Sequence, residues 1–281
     1  MGNIAIVTDT SSDLTPAQAE EAGVRLVSLT VSFGDDSWAA GIELTNEEFY
    51  ERLTAPDAPM PRTAAPNPAQ FQAAFREAFD AGAEGVVCVN ISAKLSATYA
   101  AAVQAAGEFE AGQVQVLDSL TTTQPLGLIV KRAADLARTG ASQGDVVDLV
   151  QDLIGRTELL FAPDTLEYLQ KGGRIGRASA LVGTMLSIKP ILTTVDGEVT
   201  SLDRKRTMAK AKARILELAG IGDVEQIAVV HSGAAGLEEF RAAAAEVAGV
   251  DVADVEVGYI GPVAGAHIGP GMVGVSRILA G

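Results

Sequence analysis

Gly85-Val86-Val87-Cys88-Val89-Asn90-Ile91 is an almost unbroken apolar run that stops at the polar stretch Ser92-Ala93-Lys94-Leu95-Ser96-Ala97-Thr98. Its length and β-branched content suit a strand buried on both faces, the habit of a parallel sheet covered by helices on each side. A helix is expected at 99–106. The same order recurs on either side. Upstream, Asn3-Ile4-Ala5-Ile6-Val7 ends at Thr8-Asp9-Thr10-Ser11-Ser12-Asp13, and Thr15, Pro16 and Gln18 then supply an N-cap, a first helical position and a capping box. Downstream, a short strand at 114–117 ends at Asp118-Ser119, ahead of helices near 126–138 and 145–154, the second capped by Ser142. This alternation predicts an α/β fold with a mostly parallel sheet. Polar clusters just past the strand ends, at Asp9, Ser92 and Asp118, mark the edge where open parallel sheets bind ligands.

Between these elements, residues 24–33 alternate apolar and polar and read as one strand. Thr45 with Glu48 forms a second capping box ahead of Phe49-Tyr50. Residues 55–68 hold five prolines (Pro56, Pro59, Pro61, Pro66 and Pro68) and read as an extended loop, long enough to be functional. Asn67-Pro68-Ala69-Gln70 opens a helix with Phe71, Phe75, Ala78 and Phe79 on its core face. The second half is less regular. It offers a strand at 157–162 and the glycine-rich basic stretch Lys171-Gly172-Gly173-Arg174-Ile175-Gly176-Arg177. A hairpin follows, turning at Asp196-Gly197 between β-branched runs. Helices at 206–219 and 236–247 and strands at 226–231 and 254–260 follow, and the chain closes with Gly274-Val275-Ser276-Arg277-Ile278-Leu279. A hairpin mixed with helices reads as α+β, so two domains are expected, 1–157 (α/β) and 158–281 (α+β).

The 281 residues carry a formal charge of -15, a field that repels phosphate backbones and anionic membrane surfaces, so no nucleic-acid partner is expected. The single Cys88 excludes an intrachain disulfide and a thiolate zinc site, and two histidines exclude a His-rich metal site. Neither a signal peptide nor a run of ~18 apolar residues is visible, so a cytoplasmic protein without stable membrane insertion is expected.

Local motifs leave the chemistry open. Gly269-Pro270-Gly271-Met272-Val273-Gly274 has dinucleotide-loop spacing but lies too near the C-terminus to be followed by the helix, strand and acidic residue that use requires. Lys171-Gly172-Gly173-Arg174 is a solvated basic loop or, with Arg177, a focused anion site. Asp9 and Asp13 read as acceptors for turn and helix-start N–H groups, and Asp118-Ser119 likewise. His231 reads as structural, whereas His267 sits among glycines in what reads as a loop. Thr63 and Ser96 place hydroxyls in two separate loops, and no G-x-S-x-G elbow accompanies them.

Taken together, these stretches resemble the DegV family, the fatty-acid-binding proteins that serve bacterial fatty acid kinase. The resemblance rests on Ile6-Val7-Thr8-Asp9-Thr10-Ser11-Ser12-Asp13-Leu14, Arg62-Thr63-Ala64-Ala65-Pro66, Ile91-Ser92-Ala93-Lys94-Leu95-Ser96-Ala97-Thr98-Tyr99 and Val116-Leu117-Asp118-Ser119. It continues through Tyr168-Leu169-Gln170-Lys171-Gly172-Gly173-Arg174-Ile175-Gly176, Ile188-Lys189-Pro190-Ile191-Leu192 and Gly261-Pro262-Val263-Ala264-Gly265-Ala266-His267-Ile268-Gly269-Pro270-Gly271. These stretches span nearly the whole chain in family order, with departures at Ala64, Ala65, Ala97 and Pro125. The resemblance implies two domains with a lipid tunnel and head-group site at their junction. It further implies a buried long-chain fatty acid such as palmitate, stearate or oleate, with Thr63, Ser96 and His267 at its carboxylate. Arg174 is implied in anion handling, and Arg206 in contact with phosphate or with the kinase. The protein would then be a carrier without catalytic residues, metal or cofactor, presenting the acid to a separate ATP-dependent kinase that forms an acyl phosphate. The reading from another class is an independent hydrolase or acyl-transfer enzyme using Ser96 and His267.

Overall fold

The computed structural model describes residues 3–281, with the side chains of 182–187 outside the description. The chain opens with β1 (Ile4–Asp9), α1 (Pro16–Ala22) and β2 (Val24–Val27). Thr15 and Gln18 close the expected capping box. The expected single strand over 24–33 is corrected to two. The chain leaves β2 at Ser28-Leu29, where Leu29 N–H donates to Thr10 Oγ1, and restarts as β3 (Thr30–Phe33) in another sheet. There it pairs with β4 (Asp36–Ala39) and, beyond α2 (Asn46–Leu53), with β5 (Arg62–Ala64). Neither β4 nor β5 is signalled by sequence. β4 is mostly polar and solvent-facing, and β5 is a three-residue edge strand inside the proline-rich loop.

Next come α3 (Pro68–Asp80), β6 (Gly85–Asn90), α4 (Thr98–Ala106), β7 (Val114–Asp118), α5 (Thr123–Arg138) and α6 (Gln143–Arg156). Strands β2-β1-β6-β7, in that order, form an all-parallel sheet. Every residue of β6 is buried, because α5 and α6 pack on one face and α3 and α4 on the other. On α3, Phe71, Phe75 and Ala78 face that core as their spacing predicts.

The remainder holds β8 (Thr157–Ala162), α7 (Glu167–Lys171), β9 (Lys189–Val195), β10 (Glu198–Lys205), α8 (Met208–Ala219), β11 (Val224–His231), α9 (Leu237–Ala248), β12 (Glu256–Tyr259), α10 (Pro262–Ile268) and β13 (Val273–Leu279). Six strands make a mixed sheet in the order β10-β9-β8-β13-β11-β12. The β9–β10 hairpin turns at Asp196-Gly197, both in the left-handed region (φ 52° and 80°), as a two-residue hairpin loop requires. The fold is thus mixed α/β, with a helix-flanked parallel sheet and a second, sheet-rich part.

The expected loop around His267 is corrected as well: it is helix α10, with Pro262 in its first turn. Gly265 survives inside it because a Cβ there would meet Phe49 and the Tyr50 hydroxyl at 2.7 Å. The Gly269–Gly271 stretch is the turn from α10 to β13, not a dinucleotide loop.

Candidate functional site

A partly open cleft lies where the carboxyl edge of the parallel sheet faces the second sheet. Leu29, Ile91 and Thr122 reach it just beyond β2, β6 and β7, while Leu159 and Phe161 enter from β8. Its mainly apolar lining with a few polar groups is the usual composition of a small-molecule site. Thr63, Ser96, Arg174 and His267 all line it.

The β3–β5 pairing carries Thr63 inward, opposite Val31. Its Oγ1 lies 2.8 Å from His267 Nε2 on α10. His267 is largely buried, and loss of water together with the positive charge of Arg174 pushes its pKa down to about 4. The imidazole is therefore neutral at pH 7, not poised to change charge there. Its Nδ1 is buried and without a hydrogen-bond partner. The approach is close because residue 172 is glycine. A Cβ there would collide with His267 Nδ1.

Arg174 turns out of the glycine loop to donate from Nη1 to Gly172 O (2.7 Å) and from Nε to Leu95 O (3.0 Å). Those bonds clamp the loop onto the segment carrying Ser96. Lys171 faces solvent and pairs with Glu167, and Arg177 pairs with Glu198. Of the basic stretch, only Arg174 lines the cleft. Ser96 Oγ shares a 2.8 Å hydrogen bond with Thr98 Oγ1. Ser96 and His267 are thus engaged with different threonines, not with each other. The Ser–His pairing of an independent hydrolase is absent from this arrangement.

Arg206 is not at the cleft. It is exposed and lines a separate groove with Ile188, Arg204, Lys205 and Lys210. His231 stacks on Tyr259, with ring centroids 4.7 Å apart, and accepts from Gly233 N–H. The acids past the strand ends serve the backbone. Buried Asp9 accepts from the N–H groups of Ser11 and Ile91 and from Asn90 Nδ2, yet burial still raises its pKa. Asp118 accepts from Leu120 and Ala93 N–H. Asp13 accepts from Gly261 N–H at 3.0 Å, tying the loop after β1 to the start of α10. Burial pushes the Asp13 carboxyl well above the usual range. Sequence reasoning missed that tie across 248 positions, and it missed Thr122, which sits in an unremarkable run of threonines.

Among the described residues, no three His, Cys, Asp or Glu side chains are grouped to hold a metal ion, and no helix is long and apolar enough to cross a membrane.

The chain matches, over residues 3–279, the model of a family described as "Uncharacterised protein, DegV family". It is 39% identical over 282 residues to a DegV domain-containing protein of Deinococcus radiodurans, covering 98% of each chain. A DegV domain-containing protein of Halalkalibacterium halodurans is 35% identical over 285 residues, again covering 98% of each. Among solved structures, a DegV family protein from Thermus thermophilus described for its fatty acid binding superposes with a TM-score of 0.91 at 32% identity, covering 99% of this chain and 100% of that one. DegV of Bacillus subtilis, described as a fatty acid binding protein, superposes at 0.85 with 28% identity and full coverage of both chains. A stearic acid-binding protein from Eubacterium ventriosum does so at 0.88 with 26% identity, covering 99% of this chain and 98% of that one. With the family match running almost end to end and the same fold throughout, this chain belongs to the DegV family.

Proposed function

We propose that this protein binds one long-chain fatty acid in the cleft, between domains comprising residues 1–157 and 158–281. Its carboxylate would meet Thr63, Ser96 and His267, with Arg174 close by. The observation that carries this reading is the Thr63–His267 hydrogen bond at the wall of a mainly apolar cleft. A carboxylate that finds hydroxyl donors and a nearby guanidinium avoids the cost of a buried unpaired charge, and an apolar tail contributes ~0.8 kcal/mol per buried methylene. Fatty-acid binding by the structural relatives supports the same ligand class.

The protein then acts as a carrier, not as an enzyme by itself. A separate ATP-dependent kinase transfers the γ-phosphoryl group to the bound carboxylate, forming an acyl phosphate and releasing ADP. Exposed Arg206, in its basic groove, is the residue assigned to phosphate or kinase contact. Native mass spectrometry of protein purified from bacteria tests the carrier reading. A co-purified mass near that of a C16–C18 acid supports it. Protein that arrives empty and takes up no added lipid overturns it.

A further inference from the structure

At the mouth of the 16-residue helix α5, Thr121, Thr122 and Thr123 are 4%, 8% and 0% exposed. None of their hydroxyls has a hydrogen-bond partner. Thr122 is the N-cap residue, yet its side chain makes no capping bond. Thr123 follows in the left-handed region at φ 58°, a conformation disfavoured for a β-branched residue. An N-cap threonine ordinarily spends its oxygen on its own helix. Here that oxygen is left over, beside the first turn of a long helix whose N–H groups carry partial positive charge. Of the three, Thr122 lines the cleft. It enters from the β7–α5 connection, whereas Thr63 and His267 enter from β5 and α10. A buried hydroxyl without a partner is unfavourable, so a ligand atom that pairs with it is selected over one that does not.

We propose that Thr122 makes this protein selective for a fatty acid bearing an oxygen on its chain, a hydroxy acid, over the plain acid of equal length. This rests on the fatty-acid reading above. The ligand's hydroxyl accepts from or donates to Thr122 Oγ1, while the carboxylate keeps its own partners. A methylene at the same place leaves the threonine hydroxyl unpaired.

The test is competition of stearate and a positional series of monohydroxystearates against a fluorescent fatty acid, with wild type, Thr122→Val and Thr122→Ser. Valine keeps the shape and removes the oxygen. Serine keeps the oxygen. Wild type is expected to bind at least one hydroxystearate about tenfold tighter than stearate, the yield of one additional buried hydrogen bond. Thr122→Ser keeps that preference, and Thr122→Val loses it while binding stearate at least as well. An equal hydroxystearate-to-stearate ratio in wild type and Thr122→Val overturns the proposal. So does an equal loss of both ligands in Thr122→Val, which assigns the hydroxyl to the carboxylate or to the fold. If wild type binds neither acid, the fatty-acid reading itself fails, a result distinct from binding without preference.

Discussion

Thr63 and His267 lie 204 positions apart in the chain and share a 2.8 Å hydrogen bond at the wall of the apolar cleft. Neutral imidazole has one N–H. If Nε2 carries it, Thr63 accepts and its own proton is free for a ligand carboxylate; if Nδ1 carries it, Thr63 donates and has none to spare. The unpartnered Nδ1 favours the first arrangement, because a buried N–H without an acceptor is the costlier orphan.

Thr63→Ala combined with Ser96→Ala is expected to weaken fatty-acid binding strongly. A hydrogen bond to a charged group is worth ~1.5–3 kcal/mol, so the double variant should lose at least tenfold in affinity. Calorimetric titration with palmitate or oleate measures it. Affinity equal to wild type would remove both hydroxyls from the head-group site.

His267→Ala is expected to retain bound fatty acid, because the tail supplies most of the affinity, but to lose most kinase-dependent acyl-phosphate formation. An acyl phosphate carries more negative charge than a carboxylate and depends more on the polar groups around it. Lipid content by mass spectrometry and turnover with kinase and ATP separate the two effects. Full turnover would take His267 out of the mechanism.

The buried imidazole also gives the fold a pH dependence. With its pKa lowered from 6.5 to about 4, His267 binds fewer protons folded than unfolded between those values. Its neutral form is accommodated above pH 6.5, and stability falls as the pH drops from there towards 4, by on the order of 3 kcal/mol. Denaturant unfolding of ligand-free wild type against His267→Gln should show the wild type losing the larger share across that window. Asp9 and Asp13, whose pKa values are raised by burial, act in the opposite sense and are common to both proteins. Parallel curves would contradict the assignment.

Gly172→Ala is expected to be worse than Gly173→Ala. A Cβ at 172 collides with His267 Nδ1 and comes within 2.9 Å of Tyr168 O, so the imidazole must move, at ~1–3 kcal/mol for overpacking. At 173 the space is open and the cost is only the left-handed backbone at φ 70°, about 1–2 kcal/mol. Thermal unfolding compares their stability, and palmitate titration should show impaired binding in Gly172→Ala alone. Equal affinities would mean that the glycine loop does not set the imidazole position.

The parts of this protein readable from the chain alone are those whose physics is local. The helix caps at Thr15, Thr45, Asn67 and Ser142 satisfy helix-start N–H groups within three residues, and all four are present. The apolar run of β6 and the Asp196-Gly197 turn are equally short-range signals. Glycines around His267 suggested a loop, because nothing nearby in sequence shows Phe49 and Tyr50 packing against Gly265 and leaving room only for a bare backbone. Strands β4 and β5 form because β3 is there to pair with them, not because their own residues favour extension. The same holds for the cleft. Its residue types are visible along the chain, but Thr63 facing His267, Arg174 turning in while Arg206 stays out, and Asp13 reaching Gly261 arise only when distant segments pack together. Sequence composition determined that the molecule has a buried core and an acidic surface. Tertiary packing decided which hydroxyls lost their water, and so which can select a ligand.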